Sequence, residues 1–248
     1  MGNDKFSPAD LHGPIKEIFE NIYMVSGTIK IPFPLPWWVS RNMVIIKEGR
    51  DLTLVNSMRL SEEGLGELKK LGEIKNTLRL ASFHGRDDPF YKDRFNTTAY
   101  SIKGQIYARG FNPKATDQDA YFKSDIELDH GSEFPIPGAQ IFRFASGLSG
   151  EGLLHLSRDG GIVISGDSMQ NCHAVDQYYN PLGKFLSKLF GLIKPCNIGP
   201  GWFKLNKPQI SDVRKLLDLD FENVLPVHGD PVLGSAKDGF RMAIDRLK

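Results

Sequence analysis

Cysteine is scarce in this chain: Cys172 and Cys196 are the two present, and they form no Cys-x-x-Cys spacing. That is too few for a disulfide framework and points to a reducing compartment, although one bond stays open. An excess of one charge is also missing. The formal net charge is +1 and no run of five like charges occurs, so neither supports an extended electrostatic footprint for nucleic acid or anionic lipid. No apolar run approaches the ~20 residues needed to span a bilayer. The start, Met1-Gly2-Asn3-Asp4-Lys5-Phe6, lacks the apolar core of a signal peptide, and Phe6 stands where a myristoylation pattern wants Ser or Thr. A cytoplasmic location is therefore expected, with neither nucleic acid nor a transmembrane segment. Tandem repeats and low-complexity tracts are absent as well.

What is present is ordinary globular material, 248 residues of which 40% are hydrophobic and 25% charged, enough to bury a core. Residues 22–27, 43–49 and 52–56 read as a strand meander. Ser61 precedes leucines at 65, 68 and 71, with Gly72 behind them, which predicts a capped helix. A strand over 77–83 follows. The region 93–137 is less periodic, with short β-like pieces at 99–102 and 105–108. Residues 139–144, 152–156 and 161–165 predict a second meander. An amphipathic helix over 211–219, a strand over 224–227 and a closing helix over 236–247 complete the pattern.

The chemistry sits where strands end. After the apolar run 78–83 come His84, Arg86, Asp87 and Asp88; after 161–165 comes Gly166-Asp167; after 224–227 comes His228-Gly229. Imidazole and carboxylate together mean metal or proton chemistry, and side chains converging at one sheet edge are where α/β scaffolds commonly hold ligands. Two β-rich halves with helices outside make an α/β fold, a four-layer αββα sandwich.

In these residues the chain resembles the metallo-β-lactamase superfamily over roughly residues 17–247, which implies a single domain over 1–248 with 1–16 as an N-terminal extension. The family carries a His-x-His-x-Asp-His motif after a strand, then a turn His, a Gly-Asp turn and a final Gly-His-Gly-type His. Here His84 matches the first His, Arg86 occupies the second, Asp88 matches the Asp, and Pro89 replaces the last His. Leu148 stands in the turn His position, Asp167 fits the Gly-Asp turn, His228 fits the final His, and Asn56 stands where a supporting Asp is common. One family metal site would keep only His84 and Asp167. The other would keep Asp88, Asp167 and His228, three ligands with an open position.

The resemblance thus implies at most one divalent metal, Zn, Fe or Mn, since this ligand set does not choose among them. An alternative register puts Asp87 in the site and Asp88 behind it. With the metal held by Asp88, Asp167 and His228, His84 is a proton relay or weak ligand, and His84 and Asp88 are the catalytic candidates. His173, Asp176 and Glu151 are possible substitute ligands, more readily explained as supporting or surface residues; His12, His130 and His155 have weaker claims. The implied function is a metal-dependent hydrolase acting on an ester, thioester, lactone or phosphoester. The rival is a non-catalytic relative that binds a ligand or partner in the same cleft; redox use of one iron is a third option without a supporting motif. The Pro-aromatic segment 31–38 falls where the family has a flap and implies a small-molecule substrate with an apolar portion. The alternative is that it and the amphipathic stretch 185–193 cover each other or form a dimer contact, which is the favoured reading for 185–193.

Overall fold

A computed structural model of the chain describes residues 5–31, 35–105 and 122–247. Strands β1 (Lys16–Phe19), β2 (Ile22–Ile31), β3 (Trp37–Glu48) and β4 (Asp51–Val55) form an antiparallel meander. Helix α1 (Glu62–Leu71) then carries the chain to β5 (Glu73–Arg79), and α2 (Asp88–Phe95) to β6 (Thr98–Ile102). With β7 (Ile126–Leu128) these make a seven-stranded sheet whose spatial order is the chain order, parallel from β4 onward.

The second sheet contains β8 (Ala139–Arg143), β9 (Gly152–Leu156) and β10 (Ile162–Ile164). Next come β11 (Met169–Gln170), α3 (Pro181–Leu189), β12 (Asn197–Ile198), α4 (Pro200–Asn206) and α5 (Ile210–Arg214). A 3-10 turn (Lys215–Asp218), β13 (Asn223–Leu225) and α6 (Ala236–Asp245) close the chain. The sheet order is β13-β10-β9-β8, and β10 and β13 run parallel.

Alternation along the strands decides the layers, because successive side chains point to opposite faces. Val44 and Ile46 of β3 face inward and meet Leu154, Ile164 and Leu225 of the second sheet. Their neighbours Met43 and Ile45 face outward under Leu65 and Leu68 of α1 and Tyr91 of α2. On the far side, Leu153, Val163 and Val224 lie under Trp202, Val213 and Phe240 of the later helices. Each such buried side chain contributes roughly 1.5–3 kcal/mol. The result is the expected αββα sandwich.

Local signals account for α1. Ser61 accepts a hydrogen bond from the Gly64 amide at 3.2 Å, acidic Glu62 and Glu63 open the helix and basic Lys69 and Lys70 close it, which suits the helix dipole. Other expectations shift. The strand expected to reach residue 83 stops at Arg79, and the helix expected over 211–219 divides into α5 and the 3-10 turn. Helix α2 has no apolar period that would announce it and is held by the burial of Phe90 and Tyr91. Most of the expected strand 105–108 lies outside the described residues. Before β1, backbone bonds from Gly13 to Ser26 and from Thr28 to Leu11 lay residues 11–13 along β2.

Candidate metal centre

Because β10 and β13 are parallel neighbours, the loops that follow them leave at the same edge. Asp167 and His228 stand in those loops. His84 arrives from the first sheet, in a turn after β5 closed by its own amide donating to the Ala81 carbonyl at 3.1 Å. Asn56, at the end of β4, ties the sheets together. Its side-chain oxygen accepts from the Leu80 amide at 3.0 Å and its side-chain nitrogen donates to the Ser165 carbonyl at 3.1 Å. Asn42 of β3 does the same for the last loop, donating to the carbonyls of Pro226 at 2.9 Å and Gly229 at 2.6 Å. Gly229 has φ of +90°, and a Cβ there would stand 1.9 Å from the Asn171 carbonyl oxygen, so only glycine fits this turn.

His84, Asp167 and His228 each present a ligand atom within 4.8 Å of the others. Asp167 Oδ1 lies 3.2 Å from His84 Nε2 and 3.1 Å from His228 Nε2. His228 Nδ1 is 2.7 Å from the Ser40 carbonyl oxygen. A carbonyl only accepts, so Nδ1 carries the hydrogen, and in the neutral ring the lone pair of Nε2 points at a carboxylate oxygen. Two acceptors so close repel unless a proton or cation lies between them. A second ring nitrogen bound to a backbone carbonyl is also how metal-ligating histidines are commonly oriented. Among the described residues, His84 Nδ1 and Asp167 Oδ2 are buried without a hydrogen-bond partner. These donors fit one divalent cation.

Electrostatics agree with the geometry. Burial pushes the His84 imidazole below its ordinary value against the opposing pull of Asp167, which keeps it a neutral donor. Burial works against the charge of Asp167; when the imidazole nitrogens facing it carry protons, their attraction and hydrogen bonds outweigh burial and hold this carboxylate well below the usual range, the role a cation between them would take over. Glu151, in the turn where the family has its His, is buried beside this group, and its Oε1 accepts from the Ser168 amide at 2.6 Å. Burial and the charge of Asp167 raise Glu151 well above an ordinary carboxyl.

Asp88 does not stand with the three. It opens α2, where Ser57 Oγ donates to its Oδ1 at 2.6 Å and Arg79 Nη1 lies 3.5 Å from its Oδ2. Asp87 faces Arg86 at 3.0 Å and the fully buried Arg41 at 3.6 Å. Arg86, in the place of a family histidine, also reaches Asp10 at 2.7 Å.

The remaining candidates are occupied elsewhere. His12 accepts from the Ser61 amide beside α1 at 2.8 Å, and His155 donates to the Asp220 carbonyl at 2.7 Å. His130, His173 and Leu148 are exposed, and so is Asp176, whose carboxylate accepts from the Tyr178 amide. Sequence patterning missed Ser40, Arg41 and Asn42. A polar triplet preceding Met43-Val44-Ile45-Ile46 ends the apolar pattern and hides the long β3, although a buried arginine inside a strand is itself a flag for a charged partner.

No family profile and no curated protein matches the chain. Solved structures do. VMB-1 superposes with a TM-score of 0.64 at 14% identity, covering 96% of this chain and 99% of that one. The DIM-1 metallo-β-lactamase gives 0.62 at 13%, covering 97% and 99%. FIM-1 from Pseudomonas aeruginosa, solved in a mono-zinc form, gives 0.58 at 12%, covering 96% and 97%. At such identities the likeness is one of architecture: this chain has the metallo-β-lactamase fold.

Proposed function

We propose that the chain is a single-metal hydrolase in which His84, Asp167 and His228 hold the cation. The observation that carries this is the pair of imidazole nitrogens on one carboxylate oxygen, with the His228 lone pair directed inward by Ser40. Two imidazoles and one carboxylate suit Zn, Fe(II) or Mn(II). Bound there, the cation supplies Lewis-acid chemistry, polarising an acyl or phosphoryl oxygen and acidifying a water.

The protein's own groups set the charge around it. Asp167 stays ionised, while Glu151 keeps a proton on Oε2, since Oε1 already accepts from Ser168. The adjacent carboxyls therefore hold one negative charge between them. In this reading Asp88 positions rather than ligates, anchoring the start of α2 to Arg79 and Ser57 so that the loop bearing His84 keeps its place. The substrate class is an ester, thioester, lactone or phosphoester with an apolar portion, which the half-exposed Trp38 at the end of the flap would grip.

The test is elemental analysis of protein purified without added metal, joined to turnover of aryl ester, thioester, lactone and phosphodiester probes. One divalent cation per chain, absent in Asp167→Ala, and chelator-sensitive turnover are expected. Absence of any bound cation in the native chain after titration with Zn, Fe(II) and Mn(II) would overturn the proposal in favour of a non-catalytic ligand-binding relative.

A further inference from the structure

The near-neutral overall charge hides a local asymmetry. From Gln177 to Ser211 the chain contains five lysines, at 184, 188, 194, 204 and 207, and no aspartate, glutamate or arginine. Helix α3 lies in this stretch. Its inner face needs no more apolar surface than it has: Leu182 and Leu186 pack on buried Trp37, Val39 and Tyr179, together with Leu192 and Ile193. Its outer face nevertheless carries Phe185, 63% exposed, and Leu189, 64% exposed, and Phe190 just beyond is 56% exposed.

At helical spacing Phe185 and Leu189 form one ridge and Lys184 and Lys188 the next, each pair four residues apart. The chain then turns at Gly191, with φ of +68°, so that Leu192 and Ile193 fold back and Lys194 emerges exposed. Trp38 meets α3 through its backbone, the amide donating to Asn180 at the start of the helix at 3.1 Å; the residue is 39% exposed and its indole ring leaves β3 on the face opposite buried Trp37. Lys30 lies 5.3 Å from that ring and pairs with Asp10 at 2.7 Å. Among the described residues, no carboxylate lies within ion-pair distance of Lys184, Lys188 or Lys194, and along the sequence Asp176 and Asp212 flank the stretch.

We infer that this face of α3 is a docking surface for an anionic lipid bilayer. An apolar ridge beside a lysine ridge on a helix lying flat against a domain is the pattern of interfacial helices, whose aromatic and leucine side chains enter the headgroup boundary while lysines stretch to the phosphates. Contiguous exposed apolar surface of this kind marks a binding face rather than scatter. Charge complementarity selects the occupant, because three unneutralised lysines around the ridge favour an anionic surface over a neutral one. The contact would be peripheral, since no helix of the described residues is long and apolar enough to cross a membrane.

The test is co-sedimentation of the full chain with vesicles of phosphatidylcholine alone and of equal parts phosphatidylcholine and phosphatidylserine, in low and high salt. Binding to the mixed vesicles, weakened by salt and by removal of phosphatidylserine, is expected. The double variants Phe185→Ser/Leu189→Ser and Lys184→Gln/Lys188→Gln should each lower partitioning at least about tenfold. All four positions are exposed, so circular dichroism should match the parent. Failure of the parent chain to bind mixed vesicles, equal binding to both vesicle types, or unchanged partitioning of both variants would overturn the inference. So would a stable dimer in sedimentation that dissociates in Phe185→Ser/Leu189→Ser, since a second copy would then own the face.

Discussion

Asp88 shows how burial and pairing compete at a single residue. Removal from water outweighs the attraction of Arg79 and the hydroxyl of Ser57, and pushes its carboxyl up to about 6 from an ordinary 3.8. Between about pH 4 and about pH 6 the folded chain therefore holds a proton there that the unfolded chain has already lost. That contribution to stability is complete below the unfolded value and disappears as pH rises through the folded one. Asparagine at this position has no charge to bury at any pH. Relative to the parent, Asp88→Asn should gain stability between about pH 4 and about pH 7 by roughly 1–3 kcal/mol, read from urea unfolding at each pH. The same variant should keep its metal to within about tenfold in affinity, whereas His228→Ala should lose more than the ten- to hundredfold typical of a supporting residue. An equal loss in both would make Asp88 a ligand.

At the scale of elements, α3 is set on β3 by close approach. A Cβ on Gly183 would stand 1.9 Å from the Trp38 carbonyl oxygen, and the adjoining Asn180 Oδ1 accepts from the amides of both Gly183 at 2.7 Å and Trp38 at 3.1 Å. Glycine here is a matter of space, not of φ. Gly183→Ala should lift the helix and cost about 1–3 kcal/mol, with faster proteolysis in the 181–196 segment. Gly66 on the exposed side of α1 is the contrast, with nothing within 4 Å of its missing Cβ. Gly66→Ala should stabilise by about 0.5–1 kcal/mol through helix propensity alone. Opposite signs for two helical glycines, measured by denaturant unfolding, would confirm that packing and not backbone freedom governs α3.

Across the whole molecule, the three proposed ligands come from three loops, one following the first sheet and two following the second. A cation bound there would cross-link the two sheets in the folded state and find no such site in the unfolded one. Saturating Zn, at about a hundred times its dissociation constant, should add about 2.7 kcal/mol, seen as a rise in thermal midpoint of roughly 5–10 °C for a chain of this size. Asp167→Ala should abolish the rise. A rise that survives in that variant would locate the cation elsewhere.

Much of this was legible in the sequence because it depends on local pattern. Continuous apolar runs mark β3 and β9 as strands buried on both faces, Ser61 and Gly72 bracket α1, and a β-rich run followed by glycine places Asp167 and His228 at strand ends. The identity of the neighbours across space is not local. Which of the adjacent Asp87 and Asp88 faces which cation depends on where Arg41 of β3 and Arg79 of β5 arrive, and pairing between distant strands supplies both. The aromatic segment before β3 divides in the same way: Trp37 is buried against residues of the α3 region, while Trp38 stays half exposed. Periodicity is written along the chain, so the sequence by itself determined the apolar cores of the main strands, the sandwich they build and the loops that carry His84, Asp167 and His228, but not the short strands β1, β7, β11 and β12 or the polar start of β3. Only the tertiary structure decided that the imidazoles of His84 and His228 meet on one oxygen of Asp167 while Asp88 turns to Arg79, because charge pairing and desolvation are settled by groups that the chain brings together from far apart.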